Sequence, residues 1–226
     1  EYIITAKTTN NDYLYVLTKS NLTAQYVIGE NNKINVVSLG IIKEKDTAEV
    51  MSNNASILEN YIVKYNSKRY SFYFPPGNFY FNPIHFLSAG RNTLDIFIEG
   101  TSAEFNSSNF KNTTTVYTKL QDFMYDQRYN NTGITFYVKN MNFISQGGYN
   151  FIPTGVCFGT EINTGSEYNF HFYSVLIHGF EYGFKSPGYS CGASGGENTS
   201  FSNCKYGVYI TSASHLFSLK NSEFGY

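Results

Sequence analysis

Similar short apolar segments recur along the second half of the chain, separated by turns rich in Gly, Asn and Ser, with Asn at the expected strand corners. The triplet YGF at 182–184 returns as YGV at 206–208, twenty-four residues later. The hexapeptide VKNMNF at 138–143 matches LKNSEF at 219–224 in its apolar, Lys, Asn and Phe positions. Short strands with a period in the low twenties are typical of solenoids, in which each repeat packs on its neighbours. The repetition therefore favours a parallel β-helix, and a β-sandwich or jelly roll is the alternative.

One segment near the N-terminus has the pattern of an α-helix. Asp46 and Glu49 have the spacing of a capping box, in which Asp46 accepts hydrogen bonds from the first amides of the helix. Apolar residues follow on one helical face, namely Val50, Ile57, Leu58, Tyr61, Ile62 and Tyr65. We expect a helix over residues 46–66 that covers the apolar end of the first strands, where unpaired backbone would otherwise be exposed.

The short apolar segments and turn residues in the remainder of the chain predict short strands between turns, so the predicted fold class is all-β. Residues 1–33 contain two strand-like runs and are expected to form N-terminal strands or an anchoring arm. Pro75 and Pro76 cannot donate to a strand ladder and Gly77 permits a turn, so a break is expected there. From residue 34 on, the strand-like segments are 34–39, 71–74, 79–81, 94–99, 116–117, 134–138, 170–177, 207–211 and 216–224.

Composition narrows the classes of function. The 226 residues are 42% hydrophobic, 18% aromatic and 15% charged, with a net charge of −1. Aromatic surface of this extent favours folding over disorder. The chain has no basic run, and no apolar run approaches the roughly twenty residues of a membrane span, so we expect neither nucleic-acid binding nor membrane insertion. Its three Cys and four His lack metal-ligand spacing, so we expect no metal and no cofactor.

Three features in order give the chain a family resemblance: a strand at 34–39, a helix that opens Asp-Thr-Ala at 46–48, and an apolar strand that runs into Phe-Pro-Pro-Gly at 74–77. This series resembles the start of pectate-lyase-like right-handed parallel β-helix proteins, especially bacteriophage tail spikes and appendages. Residues 40–45, GIIKEK, lack the Gly-Asp-Gly that is usual in that family, so the loop before the helix must differ.

The resemblance implies a fold and a function. The fold is a single-stranded solenoid over residues 34–226 with residues 46–66 as its N-terminal capping helix, continuing beyond residue 226. The function is that of a virion tail spike or appendage, assembled in the host cytoplasm as a homotrimer, that contacts other virion tail proteins and attaches to a host cell-surface polysaccharide, with or without depolymerase activity. Two alternatives stay open: a secreted monomeric polysaccharide lyase or glycoside hydrolase, and a structural segment that anchors the appendage to the virion.

The candidate catalytic residues are Asp122, Asp126 and Arg128, the tightest acidic and basic group in the coil region. A glycosidase needs two carboxylates that face one another across the scissile bond. A solvated loop with local ion pairs accounts for the same residues. The paired-Asp and Gly-His-Gly patterns of polygalacturonase-type β-helix enzymes and the Arg-rich calcium site of pectate lyases are absent from the sequence.

Tyrosines are the candidate carbohydrate contacts, because a Tyr ring stacks on a sugar and its hydroxyl bonds to it. The loops suited to this role carry Tyr125, Tyr149, Tyr168 and Tyr189, together with Tyr129 and Tyr182. The alternative is that outward Tyr and Phe side chains pack between chains in a three-fold bundle.

Overall fold

A computed structural model of the chain describes residues 2–6, 15–16, 22–26, 33–65, 69–85, 93–103, 112–126, 133–146, 152–160, 168–187, 192–211 and 216–225. The first three strands are β1 (Tyr2–Ala6), β2 (Tyr15–Val16) and β3 (Leu22–Tyr26). They form an antiparallel sheet with β3 in the middle, where the sequence predicts two strands.

Parallel strands and one α-helix make up the part of the described chain that follows. The elements are β4 (Ile34–Asn35), a 3-10 helix (Val36–Leu39), α1 (Ala48–Tyr65), β5 (Arg69–Tyr73), β6 (Gly77–Tyr80), β7 (Ile84–His85), β8 (Leu94–Glu99), β9 (Thr114–Thr118), β10 (Met124–Asp126), β11 (Ile134–Ser145), β12 (Val156–Thr160), β13 (Tyr168–His178), β14 (Tyr182–Ser186), β15 (Ala193–Ser202), β16 (Tyr206–Ile210), β17 (Leu216–Lys220) and β18 (Glu223–Gly225).

These strands form two sheets, and from β10 to β17 the chain passes from one sheet to the other with every strand. The main path of the ten-stranded sheet, called here the large sheet, is β4-β5-β8-β11-β13-β15-β17, with β6, β9 and β18 attached beside it. The five-stranded small sheet has the order β7-β10-β12-β14-β16. Every strand pair described in these two sheets is parallel, which confirms the predicted parallel β structure. A sandwich or jelly roll would require antiparallel pairing.

The two similar hexapeptides occupy equivalent positions in the large sheet. Val138 pairs with Phe172, Phe172 with Gly196, and Gly196 with Leu219, so the first residues of both hexapeptides lie in one column. The steps in that column are 34, 24 and 23 residues long. A period in the low twenties is therefore correct only for the last strands. Longer connections separate the earlier ones.

Aromatic side chains fill the space between the two sheets. Phe158 of the small sheet is fully buried, and its ring centroid lies 4.9 Å from that of Phe143, 5.1 Å from Phe136, 5.4 Å from Phe172 and 5.6 Å from Phe123. Each such side chain contributes about 1.5–3 kcal/mol by leaving water. The alternation of buried and half-exposed residues along β8 shows the strand period of two that directs one face inward.

The strand predicted at residues 34–39 covers only Ile34–Asn35, because residues 36–39 form a 3-10 helix instead. The Asn35 side-chain oxygen accepts a hydrogen bond from the Val37 N–H at 3.1 Å, and the backbone carbonyl of Asn35 accepts one from the Ser38 hydroxyl. Such local bonds compete with a strand ladder. Gly40, with φ 101°, ends this turn. The break predicted at Gly77 is also present, since this residue has φ 135°.

Helix α1 begins two residues later than predicted and has a different cap. The Thr47 hydroxyl accepts the Val50 N–H at 3.3 Å, as an N-cap side chain does. Asp46 instead forms an ion pair with Lys119 at 2.6 Å, which draws its carboxylate away from the helix amides. The predicted capping by Asp46 is therefore wrong, although the predicted helix is present.

The apolar face of α1 packs on the first strands of the large sheet. The Tyr61 ring lies 6.2 Å from that of Tyr70 and 5.8 Å from that of Phe72, edge to face. The Tyr70 hydroxyl donates to the Ile62 carbonyl at 2.6 Å, which joins β5 to the helix. Leu58 and Ile62 are fully buried. The Tyr65 side chain lies outside the described residues.

A column of residues with positive φ marks where the long strands bend. These residues are Asn140 (56°), Ser174 (51°), Asn198 (51°) and Asn221 (47°). The residue before each one pairs with its equivalent on the next strand, so the four are stacked. Asn adopts this conformation more readily than other non-glycine residues, which explains its use at three of the four corners.

We expect Tyr61→Asp to lower the free energy of unfolding by about 3 kcal/mol or more, because it buries an unpaired charge. Tyr61 is 6% exposed against β5. Asn53→Asp, on the exposed face of α1, is the control and should change stability by less than about 0.5 kcal/mol. Urea denaturation measures both variants. Equal stabilities would contradict the packing of this helix face.

We expect Ser174→Asn to raise the free energy of unfolding by about 0.5–1 kcal/mol, because Asn tolerates positive φ better than Ser. Ser174→Val should lower it, since a β-branched residue is strained at this backbone conformation. Thermal denaturation of the two variants beside the wild type tests the corner. A Val variant as stable as the wild type would show that the residue does not hold positive φ in solution.

Candidate ligand-binding groove

The predicted catalytic carboxylates make structural bonds. Asp122 Oδ1 accepts the Val156 N–H at 2.6 Å, which ties it to the next strand of the small sheet, and Oδ2 lies 3.9 Å from His85 Nε2. Asp126 is fully buried in β10. Its Oδ2 accepts a hydrogen bond from the Tyr168 hydroxyl at 2.9 Å. Arg128 lies outside the described residues. The Asp126 carboxylate is not accessible to a polymer in this structure, and its catalytic role stays a prediction.

Two of the predicted carbohydrate contacts are also buried. Tyr168 is 0% exposed and Tyr125 is 5% exposed, so neither ring presents a face on which a sugar can stack. Tyr149 and Tyr189 lie outside the described residues, as does Tyr129. Tyr182 is half-buried and stacks on Tyr206 with ring centroids 5.0 Å apart. The burial of Tyr125 and Tyr168 does not favour glycan contact at these two rings, and contact at the predicted tyrosines stays a prediction.

An open groove of about 450 Å³ crosses the outward face of the large sheet, from β5 over β8, β11 and β13 to β15. It is lined by the side chains that alternate outward along these strands, because residues two apart point to the same face. Neighbouring parallel strands are about 4.8 Å apart, so five strands span roughly 19 Å. The groove is therefore long enough to follow an extended ligand.

One wall of the groove is a stack of rings, the ring column, formed by Phe97, Tyr137 and His171. The Phe97 and Tyr137 centroids lie 4.2 Å apart with planes inclined by 2°, and those of Tyr137 and His171 lie 4.8 Å apart at 14°. The guanidinium carbon of Arg69 lies 4.1 Å from the Phe97 centroid, at the other end. These stacks arise because the parallel register places the three residues directly above one another.

Two residues further along each strand, a charged column lines the other wall. Glu99 pairs with Lys33, and Glu197 pairs with Lys220 at 3.2 Å. Between them, Lys139 Nζ lies 5.5 Å from the centroid of the Tyr173 ring. Half-exposed ion pairs of this kind add little stability. They do supply donors and acceptors next to the rings, which is the combination that recognises a polar ligand with apolar faces.

The rings of the groove are neutral near pH 7. Partial desolvation of its ring against the sheet lowers the pKa of His171 from its ordinary value, and Asp95 offsets part of that shift. Burial raises the pKa of Tyr137, Asp95 raises it further, and Arg69 acts in the opposite direction. Both shifts favour the uncharged form of these rings at neutral pH.

Sequence reasoning missed Phe97, Tyr137 and His171 as a group. Each is an outward residue of a predicted strand, and that alternation is visible in the sequence. Tyr137 is 40 residues after Phe97 and 34 residues before His171, however, so no single repeat length relates the three positions.

No family model matches this chain, and no curated protein matches it either. Within the described ranges, no group of three His, Cys, Asp or Glu side chains is placed to hold a metal ion. The helices found in the described part of the chain are too short or too polar to cross a membrane.

We expect Tyr137→Ala to lower the free energy of unfolding by about 1–3 kcal/mol, because it removes two ring contacts worth about 0.5–1.5 kcal/mol each. Tyr137→Phe keeps both stacks and should stay within about 0.5 kcal/mol of the wild type. Urea denaturation followed by circular dichroism gives the comparison. If the two variants were equally stable, the ring column would have no role in stability.

Proposed function

We propose that the chain is a right-handed single-stranded parallel β-helix of the pectate-lyase-like type, capped by α1, and that it acts as a bacteriophage tail spike or appendage that binds host surface polysaccharide. The passage of the chain between two parallel sheets, strand by strand, supports the solenoid. Parallel connections within a sheet are right-handed in about 98% of cases, which supports the handedness. The resemblance of residues 34–81 supports the phage assignment.

The observation that carries the proposed binding function is the groove itself. A sugar offers apolar C–H faces and a rim of hydroxyl groups, and the groove offers rings on one wall and paired charges on the other. Aromatic side chains with adjacent polar groups are the usual means of holding such a ligand. The length of the groove across five strands suits an oligosaccharide segment better than a single small molecule.

Binding without cleavage is the activity that this groove supports best. Its carboxylates Glu99 and Glu197 are each paired with a lysine, whereas a glycosidase uses a general acid and a second carboxylate facing it across the bond. We therefore propose receptor attachment as the primary role.

The proposed assembly is a homotrimer on the virion, built in the host cytoplasm and joined to other tail proteins. Leu216, which lies on the same face of β17 as Ser218, is 76% exposed and offers apolar surface for assembly. Apolar surface of this kind is ordinarily covered by another chain or segment. Closed cyclic symmetry is the usual outcome for soluble homo-oligomers.

The test combines the mass of the protein in solution with binding to an array of bacterial capsule, O-chain and cell-wall polysaccharides. We expect a trimer that binds one class of polysaccharide. Tyr173→Ala, a groove residue 44% exposed, should weaken binding about tenfold. Tyr206→Ala is the matched control, because Tyr206 is 41% exposed but lies on the small sheet outside the groove, and it should bind as the wild type does.

Other results would overturn the proposal in distinct ways. A monomer that releases oligosaccharides would support a secreted polysaccharide-degrading enzyme. A trimer that binds no polysaccharide would support a segment that only anchors the appendage. Equal loss of binding in both Tyr variants would remove the groove as the binding site.

A further inference from the structure

The ring column ends one strand before the groove does. His171 pairs with Gly195 of β15, and Gly195 pairs with Ser218 of β17. Glycine has no side chain, so the step of the column after the imidazole is empty. The groove extends over this step, since both His171 and Gly195 line it.

The empty step has the thickness of one ring. Two strand spacings separate His171 from Ser218, about 9.6 Å in total. Rings in the column repeat at 4.2 and 4.8 Å. One additional ring can therefore lie on His171 at the spacing that the column already uses, with the small Ser218 side chain on its far side. This space is called the ring slot.

His171 is the only member of the column with an unstacked ring face, among the residues that the structure describes. Phe97 lies between Arg69 and Tyr137, and Tyr137 lies between Phe97 and His171. The second face of the imidazole is directed towards β15, and His171 is an exposed residue. Stacking requires a ring face, so His171 is the point in the column where a ligand ring can add.

The protein cannot fill the slot from Gly195. A Cβ atom at this position would lie 2.6 Å from the Ser218 carbonyl oxygen, which is backbone and cannot move aside easily. The close approach of β15 and β17 therefore requires glycine here. The same requirement leaves this position of the column without a side chain, and the Ser218 carbonyl oxygen lies at the floor of the slot.

The sides of the slot are polar. Asn169 precedes His171 by two residues on the same face of β13, and Glu197 follows Gly195 by two residues on the same face of β15. A ligand ring in the slot would thus have an apolar face on the imidazole and hydrogen-bonding groups along its edges. This combination fits a pyranose better than an aromatic ring, whose edges lack hydroxyl groups.

We propose that the ring slot between His171 and Ser218 binds one hexopyranose ring of the polysaccharide, with a C–H face of the sugar stacked on the imidazole. This inference rests on the proposed function and names the subsite that places the glycan along the groove. The Tyr173 side of the groove then holds the neighbouring sugar units.

The test uses the full chain and an oligosaccharide prepared from the polysaccharide that the wild type binds on the array, with affinity measured by calorimetry. His171→Ala removes the stacking face and should weaken binding about tenfold. His171→Phe retains a flat ring on Tyr137 and should bind within about twofold of the wild type. Ser218→Phe places a side chain in the slot from an exposed position and should abolish binding without loss of secondary structure.

The results distinguish a failure of the ring-slot proposal from a failure of the proposed binding in the groove. In one outcome, the wild type binds, Tyr173→Ala binds weakly, and His171→Ala and Ser218→Phe bind as the wild type does. The ligand then binds in the groove but not in the ring slot. If His171→Phe is as weak as His171→Ala, the imidazole acts through a hydrogen bond and the stacking proposal fails. If the wild type binds none of the polysaccharides, the proposed function fails together with the slot.

Discussion

In-register parallel pairing across the large sheet is the constraint on which the other features depend. It places residues with the same position in their strands directly above one another at one strand spacing. Inside, this builds continuous columns of Phe and aliphatic side chains. At the bends it stacks residues with positive φ, such as Asn140 and Asn198. Outside, it builds the ring column and the charged column. One geometric rule therefore produces the core, the corners and the groove.

The groove and the stability of the sheet come from the same contacts. Phe97 and Tyr137 stack on each other through their faces, which strengthens the pairing of β8 with β11. Because neighbouring side chains cover both faces of Phe97 and Tyr137, a ligand cannot stack on these two rings. Only the ring at the end of the column is available for stacking. Gly195 lies there because two strands approach closely, and its missing side chain leaves the imidazole of His171 uncovered. A packing requirement and a binding feature thus share one residue.

Much of the fold was predictable from local patterns, whereas most of the candidate site was not. The helix, the break at Gly77 and many of the strands were visible, because amphipathic periodicity and turn residues act within a few positions. The cap was predicted at Asp46 and lies at Thr47, because the distant Lys119 competes for the Asp46 carboxylate. Tyr168 looked like a loop residue suited to a ligand, but its ring is buried and its hydroxyl binds the equally buried Asp126.

The sequence by itself determined many of the extended segments, the apolar face of each of these and the position of the helix. Only the tertiary structure decided which strands are neighbours and in what register. Strand partners are 40, 34 and 24 residues apart in successive steps from Phe97 to Gly195, because the connections between them differ in length. Loop length costs little free energy, so the burial of all the strands together selects the register rather than any local signal. The groove exists only once that register is set.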